Sequence, residues 1–495
     1  MSISLLPLSS YIEHLQNGII ELSGVDARPI AGATNDSRMV KPGWIFIAVS
    51  GSVDDGHRYL DKALAAGAAV VISERELELP DAVALIQVVD AYAAAAGAAE
   101  VMFGFPARAL ELIGITGTNG KTTTAYLLRE IFQQAGIKVG MVGTVGYDCG
   151  GSWEPAARTT PDPFLLQSLF ARMRENGCEK VLLEVSSHAL IQNRLGESRF
   201  DGVIFTNLSG DHLDYHKNME NYYLAKRLLF KKLLKSSGLV VLNADDRYGQ
   251  RLQRELAGCR SVSWGKFFPD VDFQLRVVKE NLSGQVVQLT GSHGACRWRA
   301  PLIGSYNADN MAAAFLLALG FGVSIKDIVT SLAVTAGVPG RLQALSFPGN
   351  SLALVDYAHT DDALLKVLQT LKRLPHNRLI VIFGCGGDRD NAKRPRMGKI
   401  AATFADHTIL TSDNPRSEDP LAIIADIRAG IPAPASYEVI SDRRQAIARA
   451  VAMLKSDDIL LLAGKGHEDY QEISGTKEYF DDMVELSHLA EAQRG

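Results

Sequence analysis

Short apolar runs rich in valine and isoleucine alternate with longer amphipathic segments along most of the chain. This alternation is typical of β-α units that feed largely parallel sheets. It is interrupted near residue 107, where a proline precedes a new apolar run, and again at 335–343, where two glycines and a proline lie within four residues. We therefore predict an α/β protein with three domains, at residues 1–108, 109–336 and 337–495.

Each predicted domain has its own strands and helices. The first is a small α/β domain, with strands at 44–49, 69–72 and 83–89 and a helix at 59–66. The second has strands at 110–115, 138–142, 181–185, 202–206 and 239–243, and helices at 122–135, 164–175, 219–234 and 308–319. Its residues 271–302 alternate polar and apolar positions, which indicates an antiparallel insertion or extension. The third domain is predicted to be Rossmann-like α/β, with strands at 352–356, 379–383, 407–410 and 459–462.

The composition is that of an ordinary globular protein, and its charge balance disfavours some classes of binding partner. The 495 residues are 47% hydrophobic and 22% charged, and the formal net charge is −5. Because nucleic-acid backbones and anionic membranes both require a basic surface, we expect neither as a partner. The five cysteines show no CxxC spacing, which disfavours a disulfide framework and a cysteine zinc site. The first residues lack the pattern of a signal peptide, and no apolar run reaches the ~18 residues of a membrane-spanning helix, so we expect a cytoplasmic protein.

The strongest local signal is the segment GITGTNGKTTT at residues 114–124, between an apolar strand and an amphipathic helix. The backbone N–H groups of such a loop point into one concavity, the lysine adds a positive charge, and the next hydroxyl can hold Mg²⁺. The strict pattern has glycine where this chain has Ile115, so the loop is a variant P-loop. We predict a nucleotide-binding, P-loop ATPase-like central domain with a mainly parallel sheet. The loop residues concerned are Gly117, Thr118, Asn119, Gly120, Lys121, Thr122 and Thr123.

Carboxylates and histidines follow two further strands of this sheet. Glu184 ends an apolar strand, so its carboxylate is expected at the same edge as the P-loop, where it would coordinate Mg²⁺. A second cluster follows the next strand and comprises Asp211, His212, Asp214 and His216. Taken alone, such a cluster is as often a polar turn and helix cap as a site, but its position after the end of a strand favours a site. Lys226 lies in a helical stretch, and the pattern alone predicts that its side chain faces solvent.

The ordered motifs of the chain resemble those of the Mur ligase family, ATP-dependent amide ligases that build the peptide of peptidoglycan. The matching segments run through nearly the whole chain: DSR (36–38), TGTNGKTT (116–123), TTPD (159–162), LEVSSHAL (183–190), DHLDYH (211–216), AKRLLF (225–230), NADN (307–310), PGR (339–341), DYAH (356–359), GCGGDRD (384–390) and DNPR (413–416). Within the family, the chain resembles the members that add the third residue, meso-diaminopimelate. The resemblance implies three domains, which bind the UDP end of one substrate, ATP and the incoming amino acid.

The resemblance implies a two-step reaction on UDP-N-acetylmuramoyl-L-alanyl-D-glutamate. ATP phosphorylates its free γ-carboxylate, and the amine of meso-diaminopimelate attacks the resulting acyl phosphate. Lys121 and the loop N–H groups would hold the β- and γ-phosphates, while Thr122 and Glu184 would hold a first Mg²⁺. A carbamylated Lys226 would hold a second Mg²⁺ together with His212. The positions matched near the nucleotide are Asn310, Arg341 and Asp356.

The resemblance also assigns both substrate sites. The UDP-linked substrate would be bound by Asn35, Ser37, Ser52, Val53, Asp54, Arg158, Thr159, Thr160, Ser186, Gln192 and Arg194. Diaminopimelate would be bound by Arg389, Asp413, Asn414, Pro415, Arg416, Gly464 and Glu468. A guanidinium can bind its extra carboxylate in bidentate fashion, which would separate diaminopimelate from lysine.

The chain departs from the family pattern at one position, and three alternative functions are also compatible with the sequence. Thr360 is followed by Asp361, where the family usually has proline, and we expect the helix to persist because aspartate suits a helix N-terminus. The same ligation with L-lysine differs only at the amino-acid site. A folylpolyglutamate synthase-like ligase shares the P-loop and the mechanism, and a P-loop ATPase or regulatory nucleotide-binding protein would lack ligase activity. We expect a monomer in each case.

Overall fold

The computed structural model of the protein describes residues 5–15, 18–51, 54–292 and 294–494. The chain forms two compact units, one comprising Met1–Gln274 with Asn310–Ile328 and the other Leu275–Asp309 with Val329–Gly495. Both units are built from β-α alternation, which confirms the α/β class predicted from the hydrophobic pattern. The predicted boundaries of three domains stay a prediction.

The N-terminal part of the first unit is a small sheet covered by helices. Its elements are β1 (Leu6–Pro7), α1 (Leu8–Leu15), β2 (Ile19–Ser23), β3 (Pro29–Ile30), β4 (Gly32–Thr34), β5 (Trp44–Ala48), α2 (Leu60–Ala65), β6 (Ala68–Ser73), β7 (Ala84–Val88) and α3 (Ala91–Met102). Strands β4 to β7 run parallel, and β2 pairs antiparallel with β7. The core between this sheet and the helices α1 and α3 is formed by small and β-branched side chains such as Ile45, Val70 and Ile86.

The rest of the first unit is a large, mainly parallel sheet. Its elements are β8 (Glu111–Thr116), α4 (Lys121–Gln134), β9 (Val139–Val142), β10 (Gly146–Asp148), β11 (Trp153–Pro155), α5 (Pro163–Glu175), β12 (Lys180–Glu184), α6 (Ser187–Ile191), β13 (Phe200–Phe205), α7 (Leu213–His216), α8 (Met219–Leu228), β14 (Leu234–Asn243), α9 (Arg247–Glu255) and β15 (Ser261–Gly265). The strand order is β11-β10-β9-β12-β8-β13-β14-β15, in which β10 and β11 pair antiparallel and the other six strands are parallel. The carboxyl ends of β8, β12 and β13 therefore meet at one edge, the edge at which open α/β sheets bind ligands.

The second unit contains an antiparallel hairpin and a six-stranded sheet, whereas residues 310–328, which lie between them in the sequence, belong to the first unit. The elements that follow β15 are β16 (Phe273–Asn281), β17 (Gly284–Gly291), β18 (Gly294–Ala300), α10 (Ser305–Gly320), α11 (Ile325–Val334), β19 (Gln343–Phe347), β20 (Ser351–Asp356), α12 (Asp361–Arg373), β21 (Leu379–Phe383), α13 (Lys393–Phe404), β22 (His407–Leu410), α14 (Pro420–Arg428), β23 (Tyr437–Val439), α15 (Arg443–Met453), β24 (Ile459–Ala463), β25 (Tyr470–Ile473), β26 (Thr476–Tyr479) and α16 (Asp482–Arg494). The sheet order is β19-β20-β24-β21-β22-β23, with only β19 antiparallel. Apolar clusters cover both faces of this sheet, as a Rossmann-like domain requires.

Two local predictions were tested by this structure. The helix predicted at 219–234 was too long, since α8 ends at Leu228, a π-helical turn covers Leu229–Leu233, and β14 begins at Leu234. The turn buries Leu229, Phe230 and Leu233, and this apolar spacing is also compatible with an α-helix, so periodicity did not separate the two. The helix expected at Asp361 is present, and the Thr360 hydroxyl caps it by accepting a hydrogen bond from the Ala363 N–H at 3.3 Å.

No helix within the described residues is long and apolar enough to cross a membrane.

Candidate functional site

The P-loop between β8 and α4 adopts a conformation that requires its glycines. Gly120 has a φ of +87°, and a Cβ built on it would lie 2.3 Å from Asn310 Oδ1. Gly117 has a φ of +148°, and its Cβ would lie 2.0 Å from Thr206 Oγ1. The loop is held against the end of β13, because the Thr118 N–H donates to the Asn207 carbonyl at 2.8 Å. Backbone N–H groups in such a turn at a helix N-terminus form a concavity suited to phosphate.

Glu184 lies beside the P-loop with both carboxylate oxygens engaged. Its Oε2 accepts from Thr122 Oγ1 at 2.9 Å and its Oε1 accepts from the Thr144 N–H at 2.9 Å. The residue is 1% exposed. A hydroxyl and a buried carboxylate in direct contact are the oxygen donors that Mg²⁺ prefers. The structure thus brings the two predicted ligands of a first magnesium ion together.

Two lysines converge on one carbonyl of the P-loop. Lys121 Nζ and Lys226 Nζ donate to the Gly117 oxygen at 3.0 and 2.9 Å. Lys226 is 2% exposed, so the solvent-facing position predicted from the helical pattern alone is wrong. Burial, together with the positive charge of Lys121, lowers the pKa of Lys226 well below its usual range, although Asp211 opposes this shift. Lys226 therefore behaves as an amine buried in the site rather than as a surface cation.

Aromatic rings connect Lys226 to the histidine cluster. Lys226 Nζ lies 4.6 Å from the centre of the Tyr222 ring, and the His212 ring centre lies 6.3 Å from the same ring. His212 also meets the His188 ring at 5.0 Å between ring centres. The predicted pair Lys226 and His212 therefore flank one tyrosine. His216 is instead buried and shares a hydrogen bond of 2.8 Å with the Ser187 hydroxyl. The side chain of Asp214 lies outside the described residues.

The residues predicted to bind the UDP-linked substrate near the P-loop form a connected network. Thr160 Oγ1 donates to the Glu184 carbonyl at 2.7 Å and accepts from the Ser186 N–H at 3.0 Å. Arg194 Nη1 donates to the Thr160 carbonyl at 2.7 Å, and its Nη2 donates to Gln192 Oε1 at 2.6 Å.

The charges of this network suit an anionic ligand. Burial and the neighbouring Arg158 both lower the pKa of the Arg194 guanidinium. Thr159 extends the network, because its hydroxyl lies 3.0 Å from the Thr144 hydroxyl. The positive charges of Arg158 and Arg194 repel each other, and a bound anion would offset this repulsion.

The N-terminal residues predicted for the same substrate lie in and after the small sheet. Ser37 is buried and Asn35 is half-buried. Asp54 is exposed and accepts a hydrogen bond from the Tyr59 hydroxyl at 2.7 Å. Ser52 and Val53 lie outside the described residues.

In the second unit, the end of β20 carries a buried carboxylate. Asp356 accepts from the Leu342 and Ala358 N–H groups at 2.8 and 2.9 Å. Burial raises the pKa of Asp356, which Arg341 and these two donors oppose. The Arg341 guanidinium lies 4.9 Å from the centre of the Tyr357 ring. Arg341 and Asp356, both predicted to lie near the nucleotide, are therefore neighbours.

The residues predicted to bind the amino acid follow β21, β22 and β24. Asn414 Nδ2 donates to Glu468 Oε2 at 2.8 Å. A Cβ at Gly464 would lie 2.7 Å from Asp413 Oδ2, so the loops after β22 and β24 are in close contact. Burial and the negative charge of Asp413 raise the pKa of Glu468. Pro415 is buried in the same loop.

Arg416 lies near this carboxylate cluster, and Arg389 is an exposed residue of the loop after β21. Arg416 Nη1 donates to the Gly387 carbonyl at 2.7 Å, and Arg416 Nε lies 3.7 Å from Glu472 Oε2. A Cβ at Gly386 would lie 2.9 Å from Arg416 Nη1 and 3.8 Å from Arg389 Cγ. The guanidinium of Arg416 and the carboxylates of Asp413 and Glu468 have charges complementary to the carboxylate and ammonium groups of an amino acid.

Three segments of the chain match known domains over most of its length. Residues 29–113 match the catalytic domain of the Mur ligase family, residues 115–318 the Mur ligase middle domain, and residues 340–466 the Mur ligase glutamate ligase domain. The chain belongs to the Mur ligase family.

Full-length relatives support this assignment. A UDP-N-acetylmuramoyl-L-alanyl-D-glutamate–2,6-diaminopimelate ligase from Gloeobacter violaceus is 43% identical over 483 residues, which is 96% of this chain and 98% of the relative. A solved structure of a ligase with the same name is 34% identical, with a TM-score of 0.70 over 99% of this chain and all of that one. The MurF ligase from Thermotoga maritima in complex with ADP has a TM-score of 0.60 at 18% identity, covering 93% of this chain and 97% of its own, and shows the shared fold.

The sequence did not single out two residues in the sites of this Mur ligase. Thr144 donates to Glu184 from the loop after β9 through its N–H at 2.9 Å and its hydroxyl at 3.2 Å. Lys465 is fully buried within the AGKGHED segment, between Gly464 and Glu468. Lys465 could have been found from the sequence, because it lies between two residues that were predicted to bind the amino acid. Nothing in the local sequence pattern indicates a role for Thr144.

Proposed function

We propose that this chain is an ATP-dependent ligase that joins meso-diaminopimelate to the γ-carboxylate of UDP-N-acetylmuramoyl-L-alanyl-D-glutamate. The names of relatives that align over nearly its whole length support this function. The single structural observation that carries it is the cluster in which Asn414 donates a hydrogen bond to Glu468, close to the charges of Asp413 and Arg416. This combination of anionic and cationic groups suits an amino acid with a second amino-acid head group better than it suits lysine.

The phosphate cradle would bind ATP. Gly117 and Gly120 allow the loop to take positive φ angles and to pack closely against Thr206 and Asn310, and Lys121 is placed to turn from the loop carbonyls toward a phosphate. Asn310, Arg341 and Asp356 would lie near the nucleotide, as would Thr123 in the first turn of α4. Magnesium, when bound, would neutralise charge on the phosphoryl group being transferred. Thr122 and Glu184 would hold a first ion and His212 with carbamylated Lys226 a second.

The buried state of Lys226 supports its carbamylation. Only the neutral amine adds to carbon dioxide, forming an N–C bond and releasing one proton, and burial favours that neutral form. The product is a carboxylate, which has the donor chemistry for a divalent cation.

The chain would then act by positioning its substrates. Arg158 and Arg194, with Thr159, Thr160, Ser186 and Gln192, would hold the UDP-linked dipeptide so that its γ-carboxylate attacks the γ-phosphorus and ADP leaves. The amine of diaminopimelate, held through Glu468 and Arg416, attacks the acyl carbon, loses a proton and displaces phosphate. Holding the reacting groups close together and correctly oriented would supply most of the rate enhancement. The N-terminal contacts would come from Asn35, Ser37 and the 52–54 loop.

This role belongs to the synthesis of peptidoglycan precursors. We place it in the cytoplasm, where ATP and UDP-linked sugars are available, and we propose that the chain acts as a monomer.

The deciding experiment measures phosphate release with the UDP-linked dipeptide and a panel of amines. We expect release that depends on meso-diaminopimelate and is far slower with L-lysine. Equal rates with both amines would favour the lysine-adding function. Release without any amine would favour a P-loop ATPase, and release with a folate and glutamate would favour a folylpolyglutamate synthase.

A further inference from the structure

Lys465 is a fully buried cation among the residues assigned to the amino-acid site. Its Nζ donates to Asn414 Oδ1 at 3.3 Å and to the Tyr470 carbonyl. It lies 3.8 Å from Asp413 Oδ1 and 3.9 Å from Glu468 Oε2. The ammonium therefore connects three segments, namely the loop after β22, the loop after β24 and the first residue of β25.

The hydrogen bonds of Asn414 show what this cation does. Asn414 Oδ1 accepts from Lys465 Nζ and from the Glu472 N–H at 2.9 Å, so two donors fix the oxygen on one side of the amide. The Nδ2 group is thereby directed to Glu468 Oε2. A rotated amide would place its oxygen against the Glu468 carboxylate and its NH₂ against the lysine, which would lose both hydrogen bonds.

The charge balance of the cluster points to an incoming cation. Two carboxylates, Asp413 and Glu468, face one ammonium, Lys465, so the group has one negative charge in excess when all three are ionised. The nearby Arg443 and Arg416 are each paired with a further carboxylate, Asp482 and Glu472, so these two pairs add no net charge to the cluster. No described group donates a hydrogen bond to Asp413 Oδ1. Burial lowers the pKa of Lys465, and the negative charge of Asp413, 3.8 Å away, opposes that shift.

We propose that Lys465 is a positioning residue for the amino-acid substrate, which fixes the Asn414 amide so that Glu468 is held ready to bind the substrate ammonium. The proposal rests on the proposed function, because it concerns the same site. Lys465 acts through Asn414 and Glu468 and does not itself touch the substrate. Its effect therefore falls on the binding of one substrate only.

The test replaces Lys465 by methionine, which keeps the length of the side chain and removes the ammonium. We expect the KM for meso-diaminopimelate to rise roughly 10- to 100-fold, the range that a lost hydrogen bond to a charged group produces. The KM for ATP and for the UDP-linked dipeptide should not change. Lys366→Met is the matched control, because Lys366 is an exposed lysine paired with Asp362 on α12.

A double-mutant cycle separates positioning from a general loss of structure. If Lys465 acts through Asn414, Lys465→Met should add nothing to the rise in KM that Asn414→Ala produces. Independent effects that multiply would overturn the proposal, as would a parallel rise in the KM of all three substrates or an unchanged KM for diaminopimelate.

A second variant covers the case in which Lys465→Met does not fold. Lys465→Arg keeps the charge but cannot place its donors at the same two oxygens, so it should also raise the KM for diaminopimelate selectively. An unchanged value in this variant would overturn the proposal. If the unmodified chain does not turn over diaminopimelate, the proposed function itself fails. Turnover by the unmodified chain with an unaffected Lys465→Met variant defeats only the role of Lys465.

Discussion

Thr122 Oγ1 donates a 2.9 Å hydrogen bond to Glu184 Oε2 and so joins the first turn of α4 to the end of β12. This contact follows from the register of the sheet. Glu184 at the end of β12 pairs with Ile115 on β8, and Ile115 lies two residues before the P-loop glycine Gly117. The Thr144 N–H holds the second carboxylate oxygen. Among the described residues, the donors to this buried carboxylate are the neutral groups of Thr122 and Thr144, and we propose that a divalent cation supplies the opposite charge.

Replacing Glu184 by glutamine tests this relationship. The amide has the shape of the carboxylate but no charge. We therefore expect kcat to fall about 100-fold or more and the Mg²⁺ concentration needed for half-maximal activity to increase. Phosphate release over a magnesium titration measures both. Glu220→Gln, which alters an exposed carboxylate paired with Arg251, should have no effect. An unchanged magnesium dependence in Glu184→Gln would remove Glu184 from the metal site.

The Lys226 side chain gives a second prediction. Lys226→Ala should abolish ligation, because the buried amine that would become a carbamate is lost. Short carboxylic acids added to the assay should restore part of the activity by supplying a carboxylate in the vacated space, whereas chloride at the same ionic strength should not. Lys279→Ala, which removes an exposed lysine of β16, is the control. Full activity without added acid would show that Lys226 has no role in catalysis.

The sequence predicted the parts of this site that depend on β-α alternation. The apolar runs at 352–356 and 379–383 coincide with β20 and β21, and the glycine pattern predicted the P-loop conformation. Lys226 was different. Its helical neighbourhood resembles that of any surface lysine, and only the tertiary packing of Tyr222 and the P-loop carbonyl against it makes it a buried amine. Local patterns carry no information on such contacts between distant segments.

Arg416 carries the prediction on substrate specificity. Its Nη1 donates to the Gly387 carbonyl at 2.7 Å and its Nε lies 3.7 Å from Glu472 Oε2, and we propose that the guanidinium binds a substrate carboxylate in bidentate fashion. Arg416→Lys keeps the charge but loses the fork, so the KM for diaminopimelate should rise roughly tenfold while the KM for ATP stays constant. Steady-state kinetics with each substrate varied in turn measures this, with the exposed Arg428→Lys as control. Equal changes in both KM values would argue against a contact with the amino acid.

The raised pKa of Glu468 predicts a pH dependence of stability. Its ordinary value is 4.5, and burial with the nearby Asp413 charge raises it in the folded protein. The folded state therefore binds this proton more tightly, so the contribution of Glu468 to stability is present below 4.5 and is lost as the pH rises through the raised value. The stability of the unmodified chain relative to Glu468→Gln should thus fall as the pH increases above that ordinary value.

Thermal unfolding of the two proteins from about pH 5 to about pH 8 measures this difference. Saturating diaminopimelate should weaken the trend in the unmodified chain, because a bound ammonium stabilises the ionised carboxylate. A relative stability that increases with pH would mean that the folded protein favours the ionised form even without ligand.

The ion pair of Arg443 and Asp482 joins α15 to α16 and is fully buried. Arg443 Nε and Nη2 donate to the two carboxylate oxygens at 2.8 and 2.6 Å. Arg443→Met leaves the carboxylate uncompensated, so we expect a loss of about 3–5 kcal/mol in the free energy of unfolding. Arg443→Met with Asp482→Leu should recover most of this loss, because the apolar residues Ile447 and Leu486 belong to the same core cluster and the double variant buries no unpaired charge.

Urea denaturation compares the variants, and Arg444→Met, which opens the neighbouring exposed pair with Glu485, should cost far less. If the double variant is as unstable as Arg443→Met alone, the cost comes from lost packing around the arginine rather than from the unpaired aspartate.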